Sequence, residues 1–369
     1  MTEWSEREVE AMEQALTLAA GVRRITAPNP WVGCVIVAPS GLFVGEGATA
    51  APGGRHAELA ALAAAGERAR GATAVVTLEP CAHHGRTPPC IDALAEAGIA
   101  RVVIGIEDPD DLVAGRGVVA LRDRGIQVVV GARAREVRTQ LAPYIHQRRT
   151  GRAFVVAKSA MSLDGRVAAA DGTSQWITGP VARADGHRLR AESQAVMVGA
   201  GTALADQPTL TPRDVEGLSG PLPVRVLLDA AGRVPPTGPL FDATLADTLV
   251  ITTDAASAHT VDGWRAAGAK VEIVDAWPNG VDLLAVLELL AGAGVLQVLV
   301  EGGPTLHGAL WDAGLVDEFV AYMAPTVLGS DALPALIANG PATLADAHRL
   351  QFLDSAILGP DIRLRWRRI

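Results

Sequence analysis

The stretch ATAVVTLEPCAHHGRTPPC, residues 72–90, begins as an apolar strand and continues into a loop that lies between two cysteines. Cys81 follows the end of the strand, and Cys90 follows a pair of prolines. Because proline is favoured at the start of a helix, Cys90 is predicted to open one. A strand that leads into a helix is the repeating unit of an α/β fold.

The same alternation extends over residues 1–146. Strands are predicted at 32–38, 72–80, 100–108 and 126–131, and helices at 3–21, 57–68, 90–97 and 117–124. This order predicts an α/β layered sandwich. The following segment QRRTGR, residues 147–152, is polar and basic between two apolar periodic regions, so it is predicted to connect two domains.

A second α/β domain is predicted over residues 152–369. Apolar strands are expected at 153–162, 195–201, 224–230, 247–253, 270–276, 295–303 and 318–325, with helices between them. The last stretch, residues 350–368, has the pattern of two antiparallel strands rather than of a helix. A chain of 369 residues is long enough for two such domains.

Composition limits the classes of function. A net charge of -9 argues against a nucleic-acid surface, which needs excess Lys and Arg on one face. The start of the chain lacks the pattern of a signal peptide, and no apolar run approaches the roughly 20 residues of a membrane span. Three cysteines are too few for a disulfide framework. We expect a cytoplasmic protein without a membrane or nucleic-acid partner, and a homo-oligomer.

Four residues form a candidate zinc site: His56, Glu58, Cys81 and Cys90. Residues two apart in a helix point about 200° from each other, so His56 and Glu58 can share a site only at a helix end. His56 follows a glycine turn, which places it there. Each residue alone has an ordinary structural explanation, such as a capping histidine, but together they match the His-x-Glu and Pro-Cys parts of the zinc deaminase signature. Cys34, in an apolar strand, is expected to be a small buried hydrophobe.

The expected chemistry follows from the number of ligands. Three protein ligands leave a tetrahedral zinc ion one position for water, whose pKa falls to about 7. Deamination also needs a proton carried from that water to the ring and to the leaving ammonia. Glu58 is expected to carry it and not to bind the metal.

The substrate is suggested by a resemblance. PNPWVG (28–33), HAE (56–58) and PCAHHGRTPPC (80–90) resemble the diaminohydroxyphosphoribosylaminopyrimidine deaminase family of riboflavin synthesis. The resemblance implies a cytidine-deaminase-like α/β/α sandwich, zinc at His56, Cys81 and Cys90, and Glu58 as proton shuttle. It also implies that Asn29, His83 and Arg86 line the substrate pocket.

The second half lacks the Gly-x-Gly-x-x-Gly fingerprint of a Rossmann dinucleotide site. Instead EGGPT, residues 301–305, ends an apolar strand and opens a helix, where backbone N–H groups can approach an anion. A pair of glycines there is also common in a plain strand-to-helix turn. The glycine pair alone therefore does not decide between an anion-binding site and a plain turn.

A second resemblance points to a reductase. KSAMSLDGR (158–166), SQWIT (174–178), VGAGT (198–202) and EGGPT (301–305) occur in the order found in riboflavin-pathway reductases, whose fold resembles dihydrofolate reductase. The similarity implies NADPH contacts from Ala160, Trp176, Thr202, Asp206, Ala230, Gly303, Pro304, Thr305 and Leu306. It implies contacts to a phosphoribosylaminopyrimidine from Ser174, Arg190, Leu210, Arg213 and Glu301, the two arginines meeting the phosphate.

Some of these residues have an alternative structural interpretation. Trp176 and Leu210 could equally serve core packing, and Asp206 a turn cap. Ala230 stands where the related reductases usually have serine. For the hydride step the cofactor carries the chemistry and the protein supplies positioning. Glu301 and Lys158 are ionisable candidates for a proton donor, and the spacing assigns neither.

Three functions are compatible with these residues. The leading hypothesis is a bifunctional enzyme that removes the ring amino group and then reduces the ribose with NADPH. The first alternative is a zinc deaminase of a free nucleoside, base or transfer RNA with an accessory C-terminal domain, and the acidic charge and the long loop between the cysteines argue against it. The second is an inactive nucleotide-binding regulator, which the intact set of ligands and Glu58 disfavours.

Overall fold

The computed structural model describes residues 4–82, 89–110, 114–217, 220–278 and 280–368. The chain divides into two compact units, Met1–Gly151 and Arg152–Ile369. No helix among the described residues is both long and apolar enough to cross a membrane. His83 and Arg86, which were predicted to line a substrate pocket, lie outside the described residues.

The first unit is built on a five-stranded sheet in the order β2-β1-β3-β4-β5. Strand β1 is antiparallel to β2 and β3, whereas β3, β4 and β5 run parallel. Its elements are α1 (Glu6–Val22), β1 (Gly33–Val37), β2 (Phe43–Ala48), α2 (Ala57–Ala65), β3 (Thr73–Leu78), α3 (Cys90–Glu96), β4 (Arg101–Ile106), α4 (Arg116–Asp123), β5 (Gln127–Val130), α5 (Ala134–Gln140) and α6 (Ala142–Thr150).

Two glycines place helices on opposite faces of this sheet. A Cβ at Gly33 would lie 1.9 Å from the carbonyl oxygen of Ala15 in α1, and one at Gly47 would lie 2.4 Å from that of Ala57 in α2. Gly47 is paired with Cys34, the neighbour of Gly33, and neighbours along a strand face opposite ways. Helices α1 and α2 therefore cover opposite faces, which confirms the predicted α/β/α sandwich.

Strand β2 was missed from the sequence. Its sequence FVGEGA carries two glycines, which weaken a strand pattern. Gly45 and Gly47 both lie against α2, where a Cβ would meet backbone oxygens at 2.2 and 2.4 Å. The two glycines allow α2 to pack closely on β2. The strand therefore lacks the alternation of apolar and polar residues by which a strand is usually predicted.

The segment predicted to connect the two domains is mostly helical. Residues 147–150 form the last turn of α6, which ends at Gly151 with a φ of 77°. Arg148 and Arg149 lie in that last turn, where cations interact favourably with the free carbonyl groups of a helix end. The polarity of the segment therefore comes from an exposed helix end, and the division between the two compact units falls directly after it.

The second unit is built on a nine-stranded sheet in the order β11-β10-β9-β8-β14-β6-β15-β18-β17. Its strands are β6 (Phe154–Ser162), β7 (Arg166–Ala168), β8 (Ala195–Gly199), β9 (Val224–Leu228), β10 (Thr248–Thr252), β11 (Lys270–Ile273), β12 (Ala276–Trp277), β13 (Gly280–Val281), β14 (Gln297–Val300), β15 (Glu318–Ala324), β16 (Leu333–Pro334), β17 (Leu350–Leu358) and β18 (Asp361–Arg368). Its helices are α7 (Pro180–Ala191), α8 (Ala200–Asp206), α9 (Ala258–Ala266), α10 (Leu283–Gly292) and α11 (Pro304–Asp312).

The strands from β11 to β15 in this order are all parallel, and β18 and β17 are added antiparallel at one edge. This confirms the antiparallel pair predicted for residues 350–368. The central strands are buried and apolar along their length, as expected for a parallel sheet covered on both faces. In such a sheet, ligands bind at the carboxyl ends of the strands.

Candidate active sites

The first candidate site joins His56, Cys81 and Cys90. His56 is the N-cap of α2, Cys81 lies just beyond β3, and Cys90 is the first residue of α3. Their ligand atoms all lie within 4.8 Å of one another. The three residues predicted as zinc ligands are therefore brought together by one strand end and two helix starts.

The distances within this group suit a tetrahedral zinc ion. His56 Nδ1 lies 3.2 Å from Cys90 Sγ and 3.6 Å from Cys81 Sγ. Zinc bound at its usual distances to one nitrogen and one sulfur separates the two by about 3.6 Å. The backbone N–H of Cys90 also donates to Cys81 Sγ at 3.4 Å, a contact that stabilises a thiolate. The donor set is thus already arranged to hold the metal.

The hydrogen bond between the two cysteines shifts their pKa values in opposite directions. A hydrogen bond from Cys90 lowers the pKa of the Cys81 thiol to about 4, and the same bond raises the pKa of Cys90. The hydrogen bond to Cys81 raises the pKa of His56. These shifts favour a thiolate at Cys81, and zinc binding requires both cysteines to be deprotonated.

Glu58 lies in the first turn of α2, close to the metal group but outside it. Its side chain is almost fully buried, with 4% of its surface exposed. Burial, assisted by the negative charge of Cys81, raises the pKa of this carboxyl to about 7. A group that gains and loses a proton near neutral pH is suited to general acid–base work.

Glu79 is a residue of this site that the sequence reasoning missed. It directly follows β3, two residues before Cys81, and its carboxylate accepts hydrogen bonds from the backbone N–H groups of Asp108, Gly115 and Val118 at 3.1, 2.9 and 3.1 Å. It thereby holds the start of α4 against the strand end that carries Cys81. Glu79 could have been identified from the sequence as an acidic residue directly after an apolar strand.

Asn29 lies half-buried in the turn between α1 and β1. Its backbone N–H donates to the carbonyl oxygen of Thr26 at 2.8 Å. Cys34, in β1, is fully buried, which confirms the prediction of a small buried side chain.

The second candidate site is a cleft of about 2060 Å³ in the second unit. That volume exceeds the several hundred cubic ångströms typical of a pocket for one small ligand. Most of the residues predicted to bind substrate or cofactor line it: Ala160, Ser174, Trp176, Arg190, Thr202, Asp206, Arg213, Ala230, Glu301 and Gly303 to Leu306. Leu210 is not among the described residues of the lining, because its side chain is buried in the core with 1% exposed.

One wall of the cleft is the turn between β14 and α11. Gly303 is the N-cap of α11, and Pro304 is its first residue, as the sequence predicted. A Cβ at Gly303 would lie 3.0 Å from Thr202 Oγ1. The turn therefore lies directly against Thr202, and free N–H groups at the start of α11 can receive an anion.

Arg190 and Glu301 meet in the lining of the same cleft, at the end of β14. Arg190 Nε donates to Glu301 Oε1 at 2.5 Å, Nη2 donates to Oε2 at 2.8 Å, and Nη1 donates to the Thr211 carbonyl at 3.1 Å. Despite its burial, Glu301 has its pKa lowered to about 2 by the charges of Arg190 and Lys158. Glu301 is therefore ionised at neutral pH and has no proton to donate, which answers one question that the sequence left open.

Lys158 lies beside this pair, 5.8 Å from the centre of the Tyr322 ring. Burial lowers the pKa of the amine, and the charge of Glu301 opposes that effect. Trp176 is 65% exposed at the rim, where the Arg183 guanidinium lies 4.6 Å from its ring centre. Trp176 therefore does not serve core packing.

Ser174 and Asp206 also contact each other across the cleft wall. Ser174 Oγ donates to Asp206 Oδ1 at 3.2 Å. One was predicted to bind substrate and the other cofactor, so their contact joins the two halves of the predicted site. The Ala230 carbonyl accepts from the hydroxyl of Thr253 at 2.8 Å, and Ala230 is part of the cleft lining.

Two family models match the chain. The model of the RibD C-terminal domain matches residues 153–364, and the model of the cytidine and deoxycytidylate deaminase zinc-binding region matches residues 5–106. The first covers more than half of the chain. Each match falls on one of the two units and on the candidate site that the unit contains.

Full-length relatives are also similar. The riboflavin biosynthesis protein RibD of Escherichia coli is 42% identical over 363 residues, which cover 96% of this chain and 97% of that protein. The structure of Acinetobacter baumannii RibD, form 1, has a TM-score of 0.87 at 38% identity and 99% coverage of both chains. A Thermotoga maritima structure, described as a diaminohydroxyphosphoribosylaminopyrimidine deaminase/5-amino-6-(5-phosphoribosylamino)uracil reductase, has a TM-score of 0.85 at 31% identity, with 98% and 99% covered. The chain therefore belongs to the RibD family and is a bifunctional deaminase and reductase of riboflavin biosynthesis.

Proposed function

We propose that the first unit deaminates 2,5-diamino-6-(5-phosphoribosylamino)pyrimidin-4(3H)-one and that the second unit then reduces the ribosyl chain with NADPH, giving 5-amino-6-(5-phosphoribitylamino)uracil. The observation that carries this proposal is that one chain holds both a His-Cys-Cys group beside a buried carboxyl and a cleft of about 2060 Å³. The description of the Thermotoga maritima relative contains both activities.

Zinc serves the deaminase reaction, where it activates water for attack on the ring carbon that bears the amino group. We assign His56, Cys81 and Cys90 as its ligands. Glu58 carries one proton of the attacking water to the ring nitrogen and then carries the second, from the newly added hydroxyl, to the departing amino group. A C–O bond forms, the C–N bond breaks, and ammonia leaves. The near-neutral pKa of the buried Glu58 supports this role.

Asn29, His83 and Arg86 are assigned to the substrate of the deaminase. Arg86 is proposed to meet the ribose phosphate, because a guanidinium matches phosphate geometry.

NADPH serves the reductase reaction by supplying a hydride to the sugar carbon bonded to the amino nitrogen; the C–O bond of the sugar ring breaks, and its oxygen takes up a proton from water to complete the ribityl chain. We assign cofactor contacts to Ala160, Trp176, Thr202, Asp206, Ala230 and the turn from Gly303 to Leu306. The lining of the cleft by all of these residues supports the assignment. The start of α11 is placed to receive a cofactor phosphate.

The substrate of the reductase is assigned to Ser174, Leu210, Arg190, Arg213 and Glu301. Leu210 can contribute only through its backbone, because its side chain is buried. Arg190 is occupied by Glu301, so Arg213 is the better phosphate ligand. Arg213 is exposed, and among the described residues no carboxylate is paired with it.

The local charge supports a phosphate at this wall. Three cations, Lys158, Arg190 and Arg213, stand near one carboxylate, Glu301. Cations of this kind complement a phosphate monoester, which carries nearly two negative charges at neutral pH.

The extents and the setting of the two activities are part of the same proposal. We assign the deaminase to residues 1–146 and the reductase to residues 152–369. The protein is proposed to act in the cytoplasm as a homo-oligomer on a small phosphoribosylaminopyrimidine, without a nucleic-acid or membrane partner. The acidic net charge supports a small-molecule substrate over nucleic acid.

The decisive experiment supplies the purified protein with the diaminopyrimidinone substrate and NADPH and follows ammonia release and NADPH oxidation together. Ammonia is expected first, and NADPH oxidation should follow with a lag. NADPH oxidation that precedes ammonia release would contradict the proposed order. Ammonia release from cytidine or adenosine at a comparable rate, without NADPH oxidation, would favour a nucleoside deaminase with an accessory second domain.

A further inference from the structure

Helix α7 holds the loop at residues 207–214 by two neighbouring side chains. His187 and Arg190 lie three residues apart and so share a face of the helix. Arg190 Nη1 donates to the Thr211 carbonyl at 3.1 Å, and the backbone N–H of Arg213 donates to His187 Nδ1 at 3.2 Å. The two contacts fix the backbone on either side of residue 212.

This loop needs such support. Gln207, Leu210 and Asp214 have φ angles of 43°, 54° and 54°, in the left-handed region that residues with a side chain rarely adopt. Conformations of this kind persist only where surrounding contacts impose them. Within the loop, the side chain of Leu210 is buried and that of Arg213 is exposed. The loop thus presents Arg213 to the cleft from a backbone that would not hold its shape alone.

The hydrogen bond to His187 depends on the protonation state of the ring. Because Arg213 N–H is the donor, Nδ1 must be the acceptor, and an imidazolium has no acceptor nitrogen. Burial lowers the pKa of His187, and the charges of Arg190 on its own helix and of Arg213 in the loop act in the same direction. Glu301, at the end of β14, and the Thr211 carbonyl oppose them. His187 is therefore neutral at pH 7 and can accept.

We propose that His187 is a positioning residue for substrate binding: its Nδ1 fixes the backbone of Arg213, so that the guanidinium can meet the substrate phosphate, and acidification releases it. This inference rests on the proposed role of Arg213. It deepens that role, because it makes recognition of a phosphorylated substrate depend on an uncharged imidazole. Protonation of a histidine near a phosphate normally strengthens binding by charge attraction. Here protonation of His187 is expected to weaken substrate binding, because the ring loses its acceptor nitrogen.

The test compares His187→Gln, His187→Ala and wild type in the reductase reaction. Glutamine offers an uncharged acceptor that does not titrate, whereas alanine offers none. At pH 7.5 the Ala variant is expected to raise KM for the substrate about 10-fold with kcat within twofold, because one hydrogen bond of typical strength is lost. The Gln variant should stay near wild type. Equal KM values for Ala and wild type would overturn the proposal.

The pH profile separates positioning from a plain structural role. The substrate phosphate itself titrates near pH 6, but it does so equally for every variant. The measured quantity is therefore the ratio of the wild-type KM to the KM of the Gln variant. As pH falls from 7.5 towards 4.5, this ratio is expected to rise, because only wild type loses its acceptor; since the pKa of His187 is lowered, the rise should begin below pH 6.5. A ratio that stays constant, or falls, contradicts the inference.

Two controls keep the outcomes distinct. Arg213→Ala should raise KM by more than His187→Ala does; if it leaves KM unchanged, the proposed role of Arg213 fails. If Arg213→Ala raises KM and His187→Ala does not, only the present inference fails. His259→Ala, an exposed histidine in α9, should alter neither KM nor its pH profile. Amide hydrogen exchange should quicken in the peptide spanning residues 207–214 for His187→Ala alone, whatever the activity.

Discussion

Arg190 and Glu301, 111 residues apart, are joined by two parallel hydrogen bonds of 2.5 and 2.8 Å in the wall of the reductase cleft. Their side chains expose 15% and 10% of their surface. A two-pronged contact of this kind holds both groups in one orientation. The pair is thus a fixed part of the cleft, and a substrate that contacts either residue meets the other too.

Removing one charge of this pair should destabilise the second unit. Glu301→Gln leaves a largely buried guanidinium without its counter-charge, which typically costs about 3 kcal/mol. Denaturant unfolding followed by hydrogen exchange of peptides from residues 152–368 measures the change. Asp262→Asn is the matched control, because it breaks the exposed pair with Arg265 and should change stability by less than about 0.5 kcal/mol. Equal effects of the two variants would contradict the importance of the pair.

The contribution of Glu301 to stability should depend on pH. Its pKa is lowered from 4.5 to about 2 in the folded protein, so the unfolded chain takes up its proton first on acidification. The stabilisation is complete above pH 4.5 and declines as pH falls towards 2. The difference in free energy of unfolding between wild type and Glu301→Gln should therefore narrow over that interval. A difference that is the same at pH 6 and pH 3 would show that the carboxylate charge is not its origin.

Glu58→Gln should separate metal binding from catalysis. Glutamine keeps the size of the side chain but cannot shuttle a proton, so ammonia release should fall at least about 100-fold while the zinc content stays unchanged. Reduction of the deaminated intermediate should be unaffected. Glu67→Gln, an exposed carboxyl just beyond the same helix, is the control and should retain activity. Loss of zinc from the Glu58 variant would mean that this carboxyl helps to hold the metal.

Two of the three cysteines should be needed for zinc binding, and the third should not. Cys81→Ala and Cys90→Ala each remove a donor from the metal group, so zinc content measured by atomic absorption should fall well below one per chain and ammonia release should be lost. NADPH oxidation with the deaminated intermediate should continue. Cys34→Ala, the control, should keep one zinc per chain, because Cys34 belongs to the core of the sheet. Full zinc content in Cys81→Ala would exclude it as a ligand.

A methyl group at Gly303 should disturb the cofactor site alone. Its Cβ would lie 3.0 Å from Thr202 Oγ1, so the turn or the threonine must shift. Calorimetric titration of Gly303→Ala is expected to show NADPH binding weakened about 10-fold, with ammonia release unchanged. In Gly292→Ala a Cβ meets no atom within 4 Å, so that variant should bind NADPH normally. Normal NADPH binding by Gly303→Ala would remove this turn from the cofactor site.

The metal group could be predicted from sequence because its residues are short-range signals. His56 and Cys90 each begin a helix, and Cys81 follows a strand, so local patterns alone place all three at element ends. The family resemblance then supplied the substrate. For this site the fold added distances and the burial of Glu58, which no local pattern contains.

The cleft could be predicted only in part. The sequence placed Arg190 and Glu301 at the same substrate, but not in contact with each other, because their pairing depends on how α7 lies against the end of β14. Nor could it show that His187 holds Arg213, since that bond spans 26 residues and a loop with left-handed residues. Such contacts follow from the tertiary fold and leave no periodic trace in the chain.

The arrangement of the metal ligands has a mechanical consequence. His56 and Cys81 are 25 residues apart in the chain, and Cys81 and Cys90 are 9 apart. A metal ion shared by all three closes two loops at once, as a cross-link does, and so reduces the conformational freedom of the unfolded chain. The strand end and the two helix starts are then tied at a single point. The catalytic metal ion should therefore also stabilise the folded first unit. A chelator should lower the melting temperature of this unit as well as the deaminase activity.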